Sequence, residues 1–600
     1  MTRAAPLADA DYDVVIIGGG IAGAGAARDL ALRGVSVALL DKGDFGSGTT
    51  SKSSKLVHGG LRYLELFDFA LVRESLRERE TLGRLAPHLV KSLPFLVPIY
   101  RESSRSLIKV RLGLRLYDWL TPGGDRERYR VLKPVDALSL EPALRARDLR
   151  GAGYYFDGLL LYPERLCLEN VLSASRHGAR VYNYADVEEV VRDARGTLTG
   201  VKVRDLLTGQ VVTLGARVIV NATGPWVDQI RERARVTERG RRIVRTTKGI
   251  HCLLPRLTER AVYHATGDDR MIFVIPWRGF SLVGTTDTDF DGDLDRLQAT
   301  RAEVDYLLAE VRKAIPDPRV AAGNVAYTYA GVRPLTWEDN ARASDVSRAH
   351  KVIGEEDGRF LSITGTKLTC FRSLAAQLGD HVLDTLDLRA RSRTAELTLD
   401  GADEVVGRTE AHAWLDVSPE TATTGLSRDT LETLVTTYGR GYHRVIEMAG
   451  KVAGAASVSV PRTPTSWPSS ISPCRTSWPC RSRTCCSGGP ASAPARVRAS
   501  TAPRASRIGW PRSSAGARGG VKPSSTRTAR TSPAPSASRR NGRSIRLCYS
   551  PATAGVPPPL ARRMSWRLPS SCCFLRWCRR PPPRPRSPCG TRWAERSARR

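Results

Sequence analysis

Apolar and polar positions change period at short intervals along the first part of the chain, and each change marks an element. Residues 14–17 are apolar throughout, the pattern of a short strand buried on both faces. Glycines at 18–20 break the run, an alanine-rich stretch of helical period continues to about residue 33, and Gly34 closes it. A second apolar run at 35–40 ends in Asp41, so 13–41 is predicted to be a βαβ unit. Residues 69–85 mix charged and apolar positions with a helical period. The stretch 153–225 reads as strand-rich, with 218–221 a buried strand ending in a turn. In 272–284 two apolar runs flank Arg278-Gly279, which predicts a hairpin. Between 389 and 451 the pattern weakens, and one helix, 428–438, is predicted there. There is no internal repeat.

Near Val452 the composition turns abruptly to Arg, Pro, Ser, Ala, Cys and Trp, without the aliphatic periodicity that a core needs. This changes the meaning of the net charge. The whole chain carries +32, which by itself points to nucleic acid or an anionic surface. Residues 452–600, however, hold 29 of the 93 Lys and Arg and one acid, Glu595, leaving the preceding part at +4. A nucleic-acid-binding protein would therefore have to work through the tail, where no basic–aromatic interleaving sits on a folded scaffold. No nucleic-acid partner is expected. Nine of the 12 cysteines also fall after residue 473, leaving Cys167, Cys252 and Cys370 isolated, as in a reducing compartment without disulfides. No apolar run reaches the ~18–20 residues of a membrane span, and the first residues lack the apolar region of a signal peptide. A cytoplasmic protein is expected, with peripheral attachment to a membrane face left open.

Gly18-Gly19-Gly20-Ile21-Ala22-Gly23 satisfies G-x-G-x-x-G. In that motif Gly18 permits a tight turn, Gly20 lets backbone approach a pyrophosphate, and Gly23 allows the helix to lie close to the strand. The first N–H groups of the helix then face the phosphates. Glycine-rich turns arise by chance, but this one follows a strand and opens a helix, and Asp41 stands at the end of the next strand. An acid there binds ribose hydroxyls; the bland alternative is a solvated acid at a strand end.

Residues 47–64 read SGTTSKSSKLVHGGLRYL. Small hydroxyl side chains can donate to phosphate and flavin oxygens while leaving room for a ring, although a plain serine-rich loop has the same composition. The stretch SSKLVHGGLRYLE resembles the signature of FAD-dependent glycerol-3-phosphate dehydrogenases, within the D-amino-acid-oxidase-like flavoprotein class. Further similar blocks follow in the same order: NATGPWV at 221–227, KGIH at 248–251, FVIPW at 273–277, GTTD at 284–287, YAGVRPL at 329–335 and GTKLT at 365–369. The resemblance covers about residues 12–451.

The resemblance implies that Gly18, Gly20, Gly23 and Asp41 hold the adenosine and pyrophosphate end of FAD. It places Ser53, Ser54 and Lys55 near the pyrophosphate and ring, Val187 beside the adenine, and Gly224 near the ribose. Lys367, Leu368 and Thr369 approach the pyrimidine edge, where positive charge favours the reduced ring, and His58 supports the flavin loop. Arg62, Tyr63, His251 and Arg333 surround the substrate. The implied reaction is oxidation of sn-glycerol 3-phosphate to dihydroxyacetone phosphate, with hydride passing from C2 to flavin N5 and electrons passing on to a membrane quinone. The residue types suit it: a guanidinium fork holds phosphate in fixed geometry, which makes Arg333 and Arg62 the candidates to hold it, and arginine keeps its charge, so Arg333 is a clamp and not a base. His251 is the best candidate base, with a core or supporting histidine as the alternative. A glycerol-3-phosphate oxidase using oxygen and an amine or amino-acid oxidase of the same class remain rival readings. A homo-oligomer is left open.

The expected fold is α/β, with a doubly wound FAD-binding domain assembled from segments of about 12–75, 150–240 and 325–388. A β-rich substrate domain is inserted from 76–149 and 241–324. A truncated C-terminal helical domain begins at 389, and 452–600 is expected to be a frameshifted, disordered tail. Back-translated with GC-rich codons and read from the third base, 474–490 permits a charged helix with an Arg-Arg-Thr run, similar to the family's C-terminal domain. Cys485-Cys486 and Cys572-Cys573 fit no zinc template, and no metal is expected.

Overall fold

The computed structural model describes residues 6–122, 128–236, 241–268, 270–338, 348–365, 367–402 and 426–451. The basic tail beyond 451, Thr366 and part of the expected C-terminal helical region lie outside the described residues.

In chain order these residues form β1 (Ala10–Ile17), α1 (Ile21–Leu32), β2 (Val37–Asp41), β3 (Leu56–Val57), α2 (Phe69–Leu85), β4 (Val90–Tyr100) and α3 (Leu107–Leu120). Then come β5 (Arg130–Leu132), α4 (Pro134–Leu140), β6 (Leu149–Leu160), α5 (Pro163–Arg176), β7 (Arg180–Asn183), β8 (Ala185–Arg192), β9 (Leu198–Asp205), β10 (Val211–Asn221) and α6 (Val227–Ala234). The next group is β11 (Val244–Pro255), β12 (Ala261–Ala265), β13 (Met271–Trp277), β14 (Phe280–Gly284), β15 (Thr288–Asp289), α7 (Arg301–Ala314) and β16 (Tyr327–Thr336). The series closes with β17 (Lys351–Glu355), β18 (Phe360–Thr364), α8 (Phe371–Leu386), α9 (Arg428–Tyr438) and α10 (Tyr442–Lys451).

The apolar run of β1 is explained by its place in the first sheet. Strand order there is β17-β18-β10-β1-β2-β7, and β1 is parallel to both β10 and β2. Side chains on both faces of β1 are therefore buried. Val14 and Ile16 point toward α1, α5 and α8 in a core with Leu30, Leu166 and Phe371. Val15 and Ile17 join Val187 and Val201 of the β8–β9 hairpin on the opposite face. This is the expected α/β, doubly wound arrangement, with the site placed at the carboxyl ends of the parallel strands.

The second sheet has the order β15-β11-β14-β13-β12-β4-β6-β3, with β16 on β11 and β5 on β6. Leu307 and Val311 of α7 pack on one face with Ile250 and Val274. Leu76 of α2 and Leu114 of α3 pack on the other with Phe95 and Ile275. Both β6, within segment 150–240, and β16, within 325–388, pair into this second sheet. Strands from two sequence-distant regions thus reach the boundary between the sheets.

Several elements match their sequence pattern: α2 and α9 occupy 69–85 and 428–438, and β13–β14 form the hairpin about Arg278-Gly279. Three differences have clear causes. The second strand begins at Val37, not 35, because Gly34 turns left-handed at φ +82° and Val35 N donates back to Leu30 O at 3.1 Å, ending the helix first. The strand-rich reading of 153–225 missed α5, whose buried face includes Glu169, Asn170 and Ser173 and so breaks the apolar periodicity. A further helix, α10, follows α9 directly, where one helix was expected. Cys167, Cys252 and Cys370 are buried free thiols. No described helix is long and apolar enough to cross a membrane.

Candidate active site

A cavity of about 710 Å3 runs along the boundary between the sheets, within the range of roughly 300–1,000 Å3 usual for small-molecule sites. Its first end is built by the turn from β1 into α1. Gly18 has φ +103°, and a Cβ there would lie 2.7 Å from Ala222 O; one at Gly23 would lie 1.9 Å from Gly18 O. Neither position admits a side chain, and this close approach brings the start of α1 to the strand ends. Gly20 occupies the N-cap without a capping side chain, while Thr50 Oγ1 accepts from Ile21 N at 3.0 Å.

Asp41 closes β2 beside this turn. Its Oδ2 accepts from Gly19 N and its Oδ1 from Gly43 N, both at 2.7 Å. Burial pushes its carboxyl up, and the two backbone N–H groups act against that shift. Gly18, Gly20 and Asp41 line this end with Val187 and Gly224. Trp226 also lines it, with Lys42 Nζ 4.8 Å above its ring. A site with a helix N-terminus that lacks an N-cap side chain, a glycine cradle and an acid at the next strand end fits an adenine dinucleotide.

The middle is formed by the loop after β2. Its hydroxyls are largely used within the protein: Thr49 Oγ1 donates to Val332 O at 2.7 Å, and Ser51 Oγ donates to Ser47 O at 3.0 Å. Ser53 and Ser54 remain on the wall, with Leu368 and Thr369. Lys367 Nζ donates to His58 O at 2.7 Å, Gly59 O at 3.2 Å and Ser75 Oγ at 2.9 Å, which fixes its charge at the wall.

The second sheet supplies the far end. Cross-strand pairing sets His251 of β11 opposite Tyr329 of β16, and the rings stack at 4.8 Å between centroids. His251 Nε2 lies 2.9 Å from Ser54 Oγ, and its Nδ1 is buried without a hydrogen-bond partner. Burial holds this imidazole well below its ordinary value, aided by the positive charges of Arg333 and Lys55. It is therefore neutral at physiological pH. Arg333 of β16 stands four residues further along the same strand pair, opposite Thr247. Its Nη1 donates to Asp287 Oδ1 at 3.1 Å, and its Nη2 to Thr285 Oγ1 at 2.9 Å and Thr286 O at 3.0 Å. Arg348 Nη2 donates to the other oxygen of Asp287 at 2.9 Å. Arg333, Arg348, His251 and Tyr63 all line the cavity.

Three expected residues do not line this cavity. Gly23 acts through helix packing, as above. Lys55 is buried, with φ +59° and its ammonium 5.0 Å over the Trp277 ring. Arg62 sits in the short helical turn Leu61–Leu64, off the wall that Tyr63 reaches. Sequence reading in turn gave no role to Asp287, although it closes the 284–287 block, nor to Arg348, which stands in a polar stretch without a motif.

A family model for FAD-dependent oxidoreductases matches residues 13–367. A glycerol-3-phosphate dehydrogenase of Synechocystis is 41% identical over 62% of this chain and 70% of its own length. An alpha-glycerophosphate oxidase of Streptococcus pyogenes is 38% identical over 58% of this chain and 60% of its own. The structure of glycerol-3-phosphate dehydrogenase from Bacillus halodurans complexed with FAD superposes with a TM-score of 0.60 at 31% identity, over 74% of this chain and 78% of that one. The chain belongs to the FAD-dependent oxidoreductase family, among the glycerol-3-phosphate dehydrogenases, and its cofactor is FAD.

Proposed function

We propose that the protein oxidises sn-glycerol 3-phosphate to dihydroxyacetone phosphate and passes the electrons to a quinone. The observation that carries this reading is the pairing of Arg333 and Arg348 on Asp287 beside a neutral His251, at the end of the cavity away from the glycine turn. Two guanidiniums neutralised by one carboxylate leave a net positive charge, which suits a phosphate and not an amino-acid carboxylate–ammonium pair.

FAD, held by Gly18, Gly20, Asp41, Val187 and Gly224 at one end, supplies the acceptor for hydride from C2 of the substrate. Gly23 keeps α1 against β1 so that its N-terminus faces the pyrophosphate. Arg333 and Arg348 hold the substrate phosphate and so fix where C2 lies. His251 takes the proton of the C2 hydroxyl, because its neutral ring keeps a lone pair and Ser54 orients it. Tyr63 limits the space beside the substrate. The Lys367 ammonium, held by two carbonyls and Ser75, stabilises negative charge arriving at its end of the cavity. Ser53, Ser54, Leu368 and Thr369 shape the wall. Arg62 and Lys55 act from behind this wall, Lys55 through the positive field that keeps His251 neutral.

Anaerobic mixing with sn-glycerol 3-phosphate should bleach the flavin absorbance, while glycerol and amino acids leave it unchanged. Bleaching by an amino acid instead would overturn the substrate assignment. Reoxidation by a soluble quinone analogue faster than by oxygen supports the quinone. The reverse order would favour the oxidase reading, to which the similarity to the Streptococcus pyogenes oxidase lends weight.

A further inference from the structure

A carboxylate stands in an apolar run of the second sheet. Asp157 of β6 precedes Gly158, Leu159 and Leu160, and it is 3% exposed. Strand register explains what lies beside it. β3 pairs antiparallel with β6, Leu56 opposite Leu159 and Val57 opposite Gly158, so the chain leaving β3 passes Asp157 as His58-Gly59-Gly60. Two helices reach the same carboxylate. Arg79 Nη1 of α2 donates to Oδ1 at 2.8 Å. The Tyr117 hydroxyl of α3 lies 2.8 Å from Oδ1 and 2.9 Å from Oδ2. Burial pushes the Asp157 carboxyl up, and Arg79 is first among the groups that oppose it. Burial and then Asp157 hold the Tyr117 hydroxyl well above its ordinary value, so it keeps its proton and directs it at the carboxylate. Its lone pair accepts from Gly59 N at 2.8 Å. Only glycine permits this approach, since a Cβ at Gly59 would lie 2.5 Å from both Tyr117 Oη and Leu76 Cδ2.

The bonded N–H is one end of a peptide whose other end holds a cation. The C=O of His58 and the N–H of Gly59 belong to a single planar unit and point in opposite directions. Tyr117 takes the N–H, and the Lys367 ammonium donates to the C=O at 2.7 Å. Fixing the first therefore aims the second. Thr369 Oγ1 steadies the preceding peptide by accepting from His58 N at 3.1 Å. Packing between α3 and β6 alone would be served by apolar side chains. Burying Arg79, Asp157 and Tyr117 together costs desolvation, which is offset only because each is paired.

We propose that Tyr117, oriented by Asp157, is a positioning residue that acts through the His58–Gly59 peptide to hold the Lys367 ammonium where it stabilises the reduced flavin. Neither Tyr117 nor Asp157 lines the cavity, so both act at one remove. This deepens the role given to Lys367 above and rests on it.

The test uses the full chain, flavin-loaded, with sulfite as probe. The sulfite lone pair adds to flavin N5 and the displaced electron pair moves onto the pyrimidine ring, where a nearby cation stabilises it. Bleaching by sulfite thus reads that stabilisation without substrate. Tyr117→Phe should raise the sulfite Kd by about tenfold, the worth of one hydrogen bond in a charged network, and lower the flavin midpoint potential. The kcat for glycerol 3-phosphate should fall with it while KM stays, because Arg333 and Arg348 are untouched. In a Lys367→Met background, Tyr117→Phe should add nothing further, since a residue acting through the lysine is silent without it. Asp157→Asn separates position from charge: losing a negative charge by itself would tighten sulfite binding, whereas losing the anchor of Tyr117 weakens it. Weaker binding is expected. A Tyr117→Phe protein that melts earlier but keeps its sulfite Kd and kcat would overturn the proposal, as would tighter sulfite binding by Asp157→Asn. Flavin lost from both variants with the fold retained by circular dichroism would do the same, because the loop would then hold the cofactor and not the lysine. Unchanged sulfite affinity in Lys367→Met would overturn the role of Lys367 itself, and this proposal with it.

Discussion

Arg333 is bonded to Asp287 from a strand of the second sheet, Nη1 to Oδ1 at 3.1 Å, while Asp287 offers its other oxygen to Arg348. Burial alone would push this carboxyl up, but the two guanidiniums outweigh it and hold it below the usual carboxylate range. Asp287 is therefore ionised at neutral pH, and Arg333 is aimed before any anion arrives. Lysine at 333 would keep the charge but could not reach Asp287, Thr285 Oγ1 and Thr286 O together. Arg333→Lys should keep its flavin and raise the KM for glycerol 3-phosphate by about 10–10²-fold, the worth of one charge-assisted bidentate contact. Steady-state kinetics with a dye acceptor decide it, and an unchanged KM and kcat would remove Arg333 from the site.

Gly249 offers a way to disturb the same guanidinium without altering it. A Cβ at this position would lie 2.3 Å from Arg333 Nη2 and 2.4 Å from Thr285 Oγ1. Gly249→Ala must then displace one of them. The variant should bind FAD normally and show a raised KM, with a smaller effect on kcat. Loss of flavin instead would mean that the strand itself had moved.

His251 should reveal its role through pH. Burial, followed by the charges of Arg333 and Lys55, keeps its imidazole well below the ordinary value of about 6.5. The acid limb of kcat should accordingly fall below the pH at which an exposed histidine titrates. His251→Ala should lower kcat by about 10²–10⁴-fold if the ring is the base. A loss of less than tenfold, with a normal acid limb, would make it a wall residue that supports Ser54.

How much of this was legible in the sequence follows from the kind of interaction involved. The turn at Gly18, the strand ends and α2 were readable because each depends on local spacing or on backbone geometry that only glycine allows. Ser54 against His251 was readable only as two separate motifs, since their contact depends on how the second sheet seats against the first. Polar contacts between sequence-distant groups left no local trace. Arg28 is an example: on an alanine-rich helix it is fully buried, and its Nη2 donates to Leu397 O at 2.6 Å. Arg348 escaped for the same reason.

His264 of β12 gives a prediction about stability. Both ring nitrogens are buried without hydrogen-bond partners, and burial, opposed by the nearby Glu310, pushes the imidazole down to about 4. Lys313 and Arg145 act in the same direction as burial, and Glu102 against it. The unfolded chain therefore takes up the proton first, and stability is lost as pH falls from about 6.5 toward 4. By pH 5 this one ring should account for about 2 kcal/mol. His58 and His251, also shifted down by burial, act with the same sign. His264→Phe should show a smaller fall in urea midpoint between pH 7 and pH 5 than the parent protein. Equal falls would mean that the ring is hydrated or paired in solution.

The last prediction concerns residues 452–600. Every described residue lining the cavity lies between Ile17 and Thr369, and α9 and α10 bury Leu431, Leu434, Val435, Tyr438 and Tyr442 in a cluster of their own. Among the described residues, the groups assigned to the chemistry all precede α9. The tail carries 29 basic residues against one acid, a balance that gives strong, salt-sensitive attraction to polyanions whatever the rest of the chain does. A chain ending at 451 should therefore keep its flavin and its turnover with a soluble acceptor, and elute from heparin at much lower salt. If the tail is read out of frame, restoring the alternative frame should raise soluble yield and thermal stability, because in-frame helices would cover apolar surface that is otherwise left open. Loss of flavin on truncation, with no gain from the restored frame, would instead make 452–600 a working part of the folded protein.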